Sequence, residues 1–171
     1  PELEEREVSD DEWRNQRFEP IRVGTNLVIV PRSAEFTRQD SDIVIELKPG
    51  LAFGTGHHPT TLMCLEEIEA TVSPGSRFLD VGCGSGVLSI AALALGAEHA
   101  VGLDIDDDAV ISSRANLEVA GFSERSTVLR GSVPHDGVPE GVFDVVAANI
   151  AANVLIKLAE ALVATVSGDG V

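Results

Sequence analysis

The chain has 171 residues, 44% of them hydrophobic and 23% charged, which suits one globular domain with a sizeable core. No apolar run reaches the roughly 18 residues of a membrane span, and residues 1–12 are acidic and polar, unlike a secretory leader. Twenty-eight acids against 12 bases give a net charge of −16, which repels bare nucleic acid and suits a basic protein or a cationic small molecule as partner, or equally serves solubility or a salty cytoplasm.

Along the chain, Ser9-Asp10-Asp11-Glu12 reads as a capping box opening a short helix through Phe18. Two β-like runs follow, Leu27–Val30 and Ile43–Leu47, separated by Pro31 and a polar stretch. Residues 19–48 are therefore expected to form an antiparallel strand-and-turn segment. Residues 1–48 are set apart on this reading as a preamble to a domain spanning 49–171. LKPGLAFGTGHHPTT (47–61) is a glycine-rich loop, and His58-Pro59-Thr60-Thr61 opens a helix with apolar positions at Leu62, Leu65, Ile68 and Val72.

After Pro74-Gly75 the pattern alternates. Strands are expected at 77–81, 99–104, 126–130 and 142–148, with helices at 86–95, 107–120 and 151–166. Runs such as AVGLDI and FDVVAA have few polar interruptions, as strands of a mostly parallel sheet with helices on both faces do. The βαβα order implies an open α/β sheet with right-handed crossovers, whose ligands bind outside the carboxyl ends of the strands.

FLDVGCGSGVLSIAALALGA (78–97) is one such strand end. A dinucleotide fingerprint needs a third glycine where Val87 stands, and a phosphate loop needs a Gly-Lys-Ser/Thr that does not follow. The pattern is instead G-x-G-x-G at Gly82, Gly84 and Gly86, preceded by Asp80. Glycines let a ligand lie against the backbone. The helix that starts near Ser85 is expected to aim N–H groups at an anion, either a phosphate or an amino-acid carboxylate.

Asp104 closes the second strand, where a carboxylate can accept two ribose hydroxyls side by side. Asp106, Asp107 and Asp108 sit where acids offset a helix dipole. Asn149 ends the fourth strand. Its amide either caps the next helix or accepts a hydrogen bond from a substrate amine. His57-His58 are adjacent and so do not face one site, and no third ligand is spaced for a metal. Cys64 and Cys83 also lack metal-ligand spacing, which points to a reducing cytoplasm.

The G-x-G-x-G loop after a strand-end Asp, the acid closing the next strand and Asn at the fourth resemble the Rossmann-like class I methyltransferase fold. The cofactor this resemblance implies is S-adenosyl-L-methionine. PGLAFGTGHHPTT (49–61), LDVGCGSG (79–86), GLDID (102–106) and VAANIAAN (146–153) narrow the likeness to the ribosomal protein L-eleven methyltransferase (PrmA) family. The stretch from Trp13 to Pro31 is similar too. The resemblance implies that Thr61, Asp80, Gly82, Gly84, Gly86, Asp104 and Asn149 bind the cofactor, with Asp104 on its ribose. Asn149 is implied as the catalytic residue beside the methyl group and the acceptor amine.

The activity implied is N-methylation of protein amines, lysine side chains or an N-terminal amine, on a basic ribosomal protein, with no nucleic acid or membrane partner. A methyltransferase with another acceptor and a non-catalytic adenosylmethionine-binding module are the alternatives. The chain departs from the family where His57 replaces a common Thr. The fold also implies C-terminal strands beyond Val171, without which Phe143–Ala148 is expected to be an open apolar edge.

Overall fold

A computed structural model describes residues 19–31, 34–47 and 58–171. The capping-box helix, His57 and most of the 47–61 loop lie outside the described residues. The first three strands, β1 (Ile21–Val23), β2 (Leu27–Pro31) and β3 (Ile43–Leu47), form a small sheet in that order. β1 and β2 are antiparallel, with Ile21 opposite Ile29. β2 and β3 are parallel, with Leu27 opposite Ile43, so the expectation of an antiparallel pair is corrected. The chain between Pro31 and Ile43 returns to the start of the sheet before β3 begins.

The β1–β2 turn is clamped from outside. Thr25 and Asn26 each donate a backbone N–H to the Glu69 carboxylate at 2.6 Å. Gly24 has φ 57°, and the Glu69 carboxylate occupies the space that a Cβ there would need. Behind the turn, Arg22 grips Asp42 through two bonds of 2.6 and 3.0 Å. The guanidinium and the Gln39 N–H hold the Asp42 carboxyl below the usual carboxylate range.

The main sheet holds β4 (Arg77–Val81), β5 (His99–Asp104), β6 (Ser126–Arg130) and β7 (Val145–Ala147) in the order β6-β5-β4-β7. All three pairings are parallel, and Leu79 lies opposite both Val101 and Val146. Among the described residues four α-helices accompany it: α1 (Pro59–Thr71), α2 (Val87–Ala94), α3 (Asp107–Val119) and α4 (Ala152–Thr165). Each start has a local cause. His58 Nδ1 accepts from Thr60 N at the head of α1, where Pro59 needs no amide partner. Asp106 accepts from Asp108 N at the head of α3, and Asp107 and Asp108 occupy its first turn.

Period-two alternation splits the core in two. Phe78 points into a cluster with Leu65 and Ile68 of α1, Ile90 and Leu93 of α2, and Leu117 of α3. Ile29 and Ile45 of the small sheet belong to this same cluster, so both sheets share one core. Leu79, Val81, Val101 and Leu103 face the other way, onto Phe143 and Leu162 of α4. The sheet is thus covered on both faces.

β7 is shorter than the expected 142–148. Val142 and Phe143 give their N–H groups to Thr165 C=O at the end of α4, which draws them out of the ladder. Its outer edge is also partly paired: Val171 N–H reaches Asp144 C=O at 3.0 Å, and Val146 N–H reaches Val171 C=O at 2.8 Å. The order reverses at β4, with β5 on one side and β7 on the other. That is the switch point where an open α/β sheet forms its ligand crevice.

Candidate functional site

A cavity of about 580 Å³ opens at the carboxyl ends of β4, β5 and β7, within the roughly 300–1,000 Å³ of small-molecule sites. Thr61, Gly82, Gly84, Asp104 and Asn149 all line it. Gly82 has φ 79°, and a Cβ there would run into Ile150 Cγ2, which packs directly against it. Glycine at this position leaves the room that the Ile150 side chain occupies. Gly86 does different work, since it does not line the cavity. Its φ is 80°, and a Cβ there would press on Ser113 of α3, so it sets the approach of α2 to α3.

Four of the loop's N–H groups are used within the protein. Gly82 and Cys83 both donate to Leu103 C=O, at 2.8 and 2.9 Å, and Gly86 donates to Cys83 C=O at 2.8 Å. Gly84 donates to Asp104 Oδ2 at 2.9 Å. These four groups are tied to the protein rather than aimed at an anion. Among the described residues lining the cavity, none is Lys or Arg. The floor is therefore shaped for close contact and is poorly suited to a pyrophosphate.

Asp104 is held rigidly. Oδ2 takes the Gly84 N–H and Oδ1 the Asp106 N–H at 3.1 Å, which fixes the plane of the carboxylate at the cavity wall. Each oxygen retains capacity for a further donor. Next to it Ile105 is 73% exposed and lines the same cavity, an apolar surface against which a flat ring can lie. Ile105, Gly131 and Ser132 were not singled out as ligand contacts by sequence reasoning. The signal for Ile105 was its place directly after the strand-end acid.

Asp80 is not brought to the cavity wall. It points to the Phe78 face, is 0% exposed, and accepts from Ser89 Oγ at 2.8 Å. The Ser89 backbone N–H adds a second bond, so Asp80 caps the first turn of α2 through space. Oδ1 has no partner among the described residues. Burial pushes this carboxyl up to about 6 from 3.8, Asp104 adds to the rise, and the Ser89 bonds oppose it.

A folded-state value above the unfolded one favours folding most below about pH 4, and that contribution is lost as pH rises through about 6. The separation corresponds to about 3 kcal/mol. Asp80→Asn is expected to flatten the fall in stability across that window, as read from melting temperature against pH. A parallel decline in wild type and variant would show that Asp80 titrates normally. Cys83 also lines the cavity, but burial raises its thiol well above the usual range and keeps it protonated.

The structure removes one of the two readings of Asn149. The N-cap of α4 is Ala151, with no side-chain cap bond, so Asn149 does not cap that helix. Its Nδ2 instead donates to Thr61 Oγ1 at 3.1 Å, across from α1. Thr61 is 1% exposed and its N–H is bonded to His58 C=O at 2.9 Å. Among the described residues no three His, Cys, Asp or Glu side chains are grouped to hold a metal ion, and no helix is long and apolar enough to cross a membrane.

The chain is similar to known proteins. A family profile described as Ribosomal protein L11 methyltransferase (PrmA) matches residues 1–171. A curated relative from Ralstonia pickettii (strain 12J), named Ribosomal protein L11 methyltransferase, is 46% identical over 168 residues, covering 96% of this chain and 54% of its own length. One of the same name from Ralstonia nicotianae (strain ATCC BAA-1114 / GMI1000) is 47% identical over 169 residues, with 96% and 54% covered. The crystal structure of ribosomal protein L11 methylase from Lactobacillus delbrueckii subsp. bulgaricus superposes with a TM-score of 0.80 at 32% identity, covering 90% of this chain and 77% of that one. The chain spans about half the length of the curated relatives it matches. On a profile match that runs from its first residue to its last, the chain belongs to the ribosomal protein L11 methyltransferase (PrmA) family.

Proposed function

We propose that this chain carries the cofactor-binding part of an S-adenosylmethionine-dependent N-methyltransferase that acts on protein amines, lysine side chains or an N-terminal amine, of a ribosomal protein in the cytoplasm. Residues 49–171 form the cofactor domain on this reading, with 1–48 as its preamble. The observation that carries it is the convergence of Gly82, Gly84, Asp104 and the Thr61–Asn149 pair on one cavity at the switch point. The cavity suits the ligand's parts on this reading: Asp104 for the ribose hydroxyls, Ile105 for the adenine, and the glycine loop at Gly82 and Gly84 for the methionine portion. Asp80 and Gly86 support the site from behind: Asp80 caps α2, and Gly86 seats it against α3.

When bound, adenosylmethionine supplies a methyl group on a sulfonium, whose positive charge disfavours the ammonium form of a neighbouring amine. The task left to the chain is alignment. A lysine amine must lose a proton first, at about 4–5 kcal/mol near neutral pH. Asn149 Oδ1 then accepts an N–H of the neutral amine and directs its lone pair in line, without a general base. Fixing reactants in line supplies several kcal/mol by itself. The −16 net charge draws in a basic acceptor protein.

The test is incubation of the protein carrying this chain with methyl-labelled adenosylmethionine and total ribosomal protein. Label on amine nitrogens of one basic protein is the expected result. Label confined to small molecules, or none at all, would overturn the acceptor assignment.

A further inference from the structure

The direction of the bond between Asn149 and Thr61 bears on the reaction, because the two ends of a primary amide are chemically opposite. Oδ1 accepts from an amine N–H, whereas the NH₂ group would meet it donor to donor. An amide free to rotate presents both ends, and half of its orientations are unproductive. Here Nδ2 is tied at 3.1 Å to Thr61 Oγ1, while Oδ1 has no partner among the described residues and the side chain lines the cavity.

Thr61 is well placed to act as a fixed post. It stands in the first turn of α1 with its backbone N–H bonded to His58 C=O at 2.9 Å, and only 1% of it is exposed. Eighty-eight residues separate the two partners, so the contact also braces α1 against the segment after β7.

We propose that Thr61 is a positioning residue: its buried hydroxyl takes the Asn149 amide N–H and so turns the amide oxygen toward the acceptor amine. The proposal rests on the methyltransferase reading of the cavity, but the orientation of Asn149 is measurable without turnover. Losing the post releases the amide. The loss then falls on turnover rather than on binding of the acceptor amine.

The experiment compares Thr61→Val, near in shape but without the hydroxyl, with Thr61→Ser, which keeps it. In wild type, the Asn149 side-chain NH₂ resonances should be shifted and slow to exchange by NMR. They are expected to move toward free-amide positions in Thr61→Val and to return in Thr61→Ser. In methyl transfer, Thr61→Val should lower kcat by about 10-fold or more, with the acceptor KM little changed, and Thr61→Ser should recover most of the loss. In an Asn149→Ala background, Thr61→Val should add nothing.

Unmoved Asn149 resonances in a folded Thr61→Val would overturn the proposal. So would a full, additive kcat loss in the Asn149→Ala background, which would make Thr61 act independently of Asn149. Failure of the wild-type protein to bind S-adenosylhomocysteine or to transfer methyl groups would sink the functional reading instead, and the NMR comparison would still decide the role of Thr61.

Discussion

Asn149→Ala is expected to reduce methyl transfer by about 100-fold or more while leaving cofactor affinity nearly intact. The substitution removes an acceptor at the mouth of the cleft and leaves Gly82, Gly84 and Asp104 in place. Were Asn149 a helix cap, the variant would instead lose about 1 kcal/mol of stability and keep its activity. The structure gives that position to Ala151. The melting temperature should therefore change little, the main local loss being the bond to Thr61. Turnover, S-adenosylhomocysteine affinity and melting temperature measured on the one variant separate the two outcomes. A destabilised protein with wild-type turnover would end the catalytic role.

The second large effect is expected at Asp104. Asp104→Ala should weaken cofactor binding by about 1.5–3 kcal/mol, the range for hydrogen bonds to a charged group, or roughly 10- to 150-fold. Part of that loss is indirect, because the carboxylate also holds the Gly84 N–H and with it the glycine loop. Asp106→Ala is the matched control. Asp106 caps α3 through Asp108 N, so its loss should lower stability by about 1 kcal/mol and leave affinity alone. Calorimetric titration of both variants with S-adenosylhomocysteine makes the comparison. Unchanged affinity in a folded Asp104→Ala would contradict the ribose assignment.

Much of this framework was legible in the sequence because its causes are local. Strands 77–81, 99–104 and 126–130 are apolar runs closed by turns, and the structure keeps those bounds. His58-Pro59 and the acids Asp106 to Asp108 mark the starts of their helices, and the structure adds that His58 and Asp106 cap them. What the sequence did not reveal depends on partners distant along the chain. β1 is only three residues long and exists through its pairing with β2. The parallel pairing of β2 with β3 depends on a chain return that no local pattern encodes. β7 loses its first residues to the end of α4.

The site divides along the same line. Glycines and a strand-end acid mark a ligand crevice by spacing alone, and Gly82, Gly84 and Asp104 do line the cavity. Asp80 shares the motif but alternates to the opposite side, next to Ser89. The bond between Asn149 and Thr61 joins two elements that meet only in the folded chain.

On the proposed function this cavity holds adenosylmethionine, with Asn149 beside the reacting group. A crystal structure of the protein with S-adenosylhomocysteine tests it most directly. The expected result places the ribose hydroxyls on the Asp104 carboxylate and the homocysteine portion over Gly82. The Asn149 amide should still be tied to Thr61, with its oxygen facing the sulfur. A ligand bound elsewhere, or one in this cavity whose ribose does not touch Asp104, would contradict it.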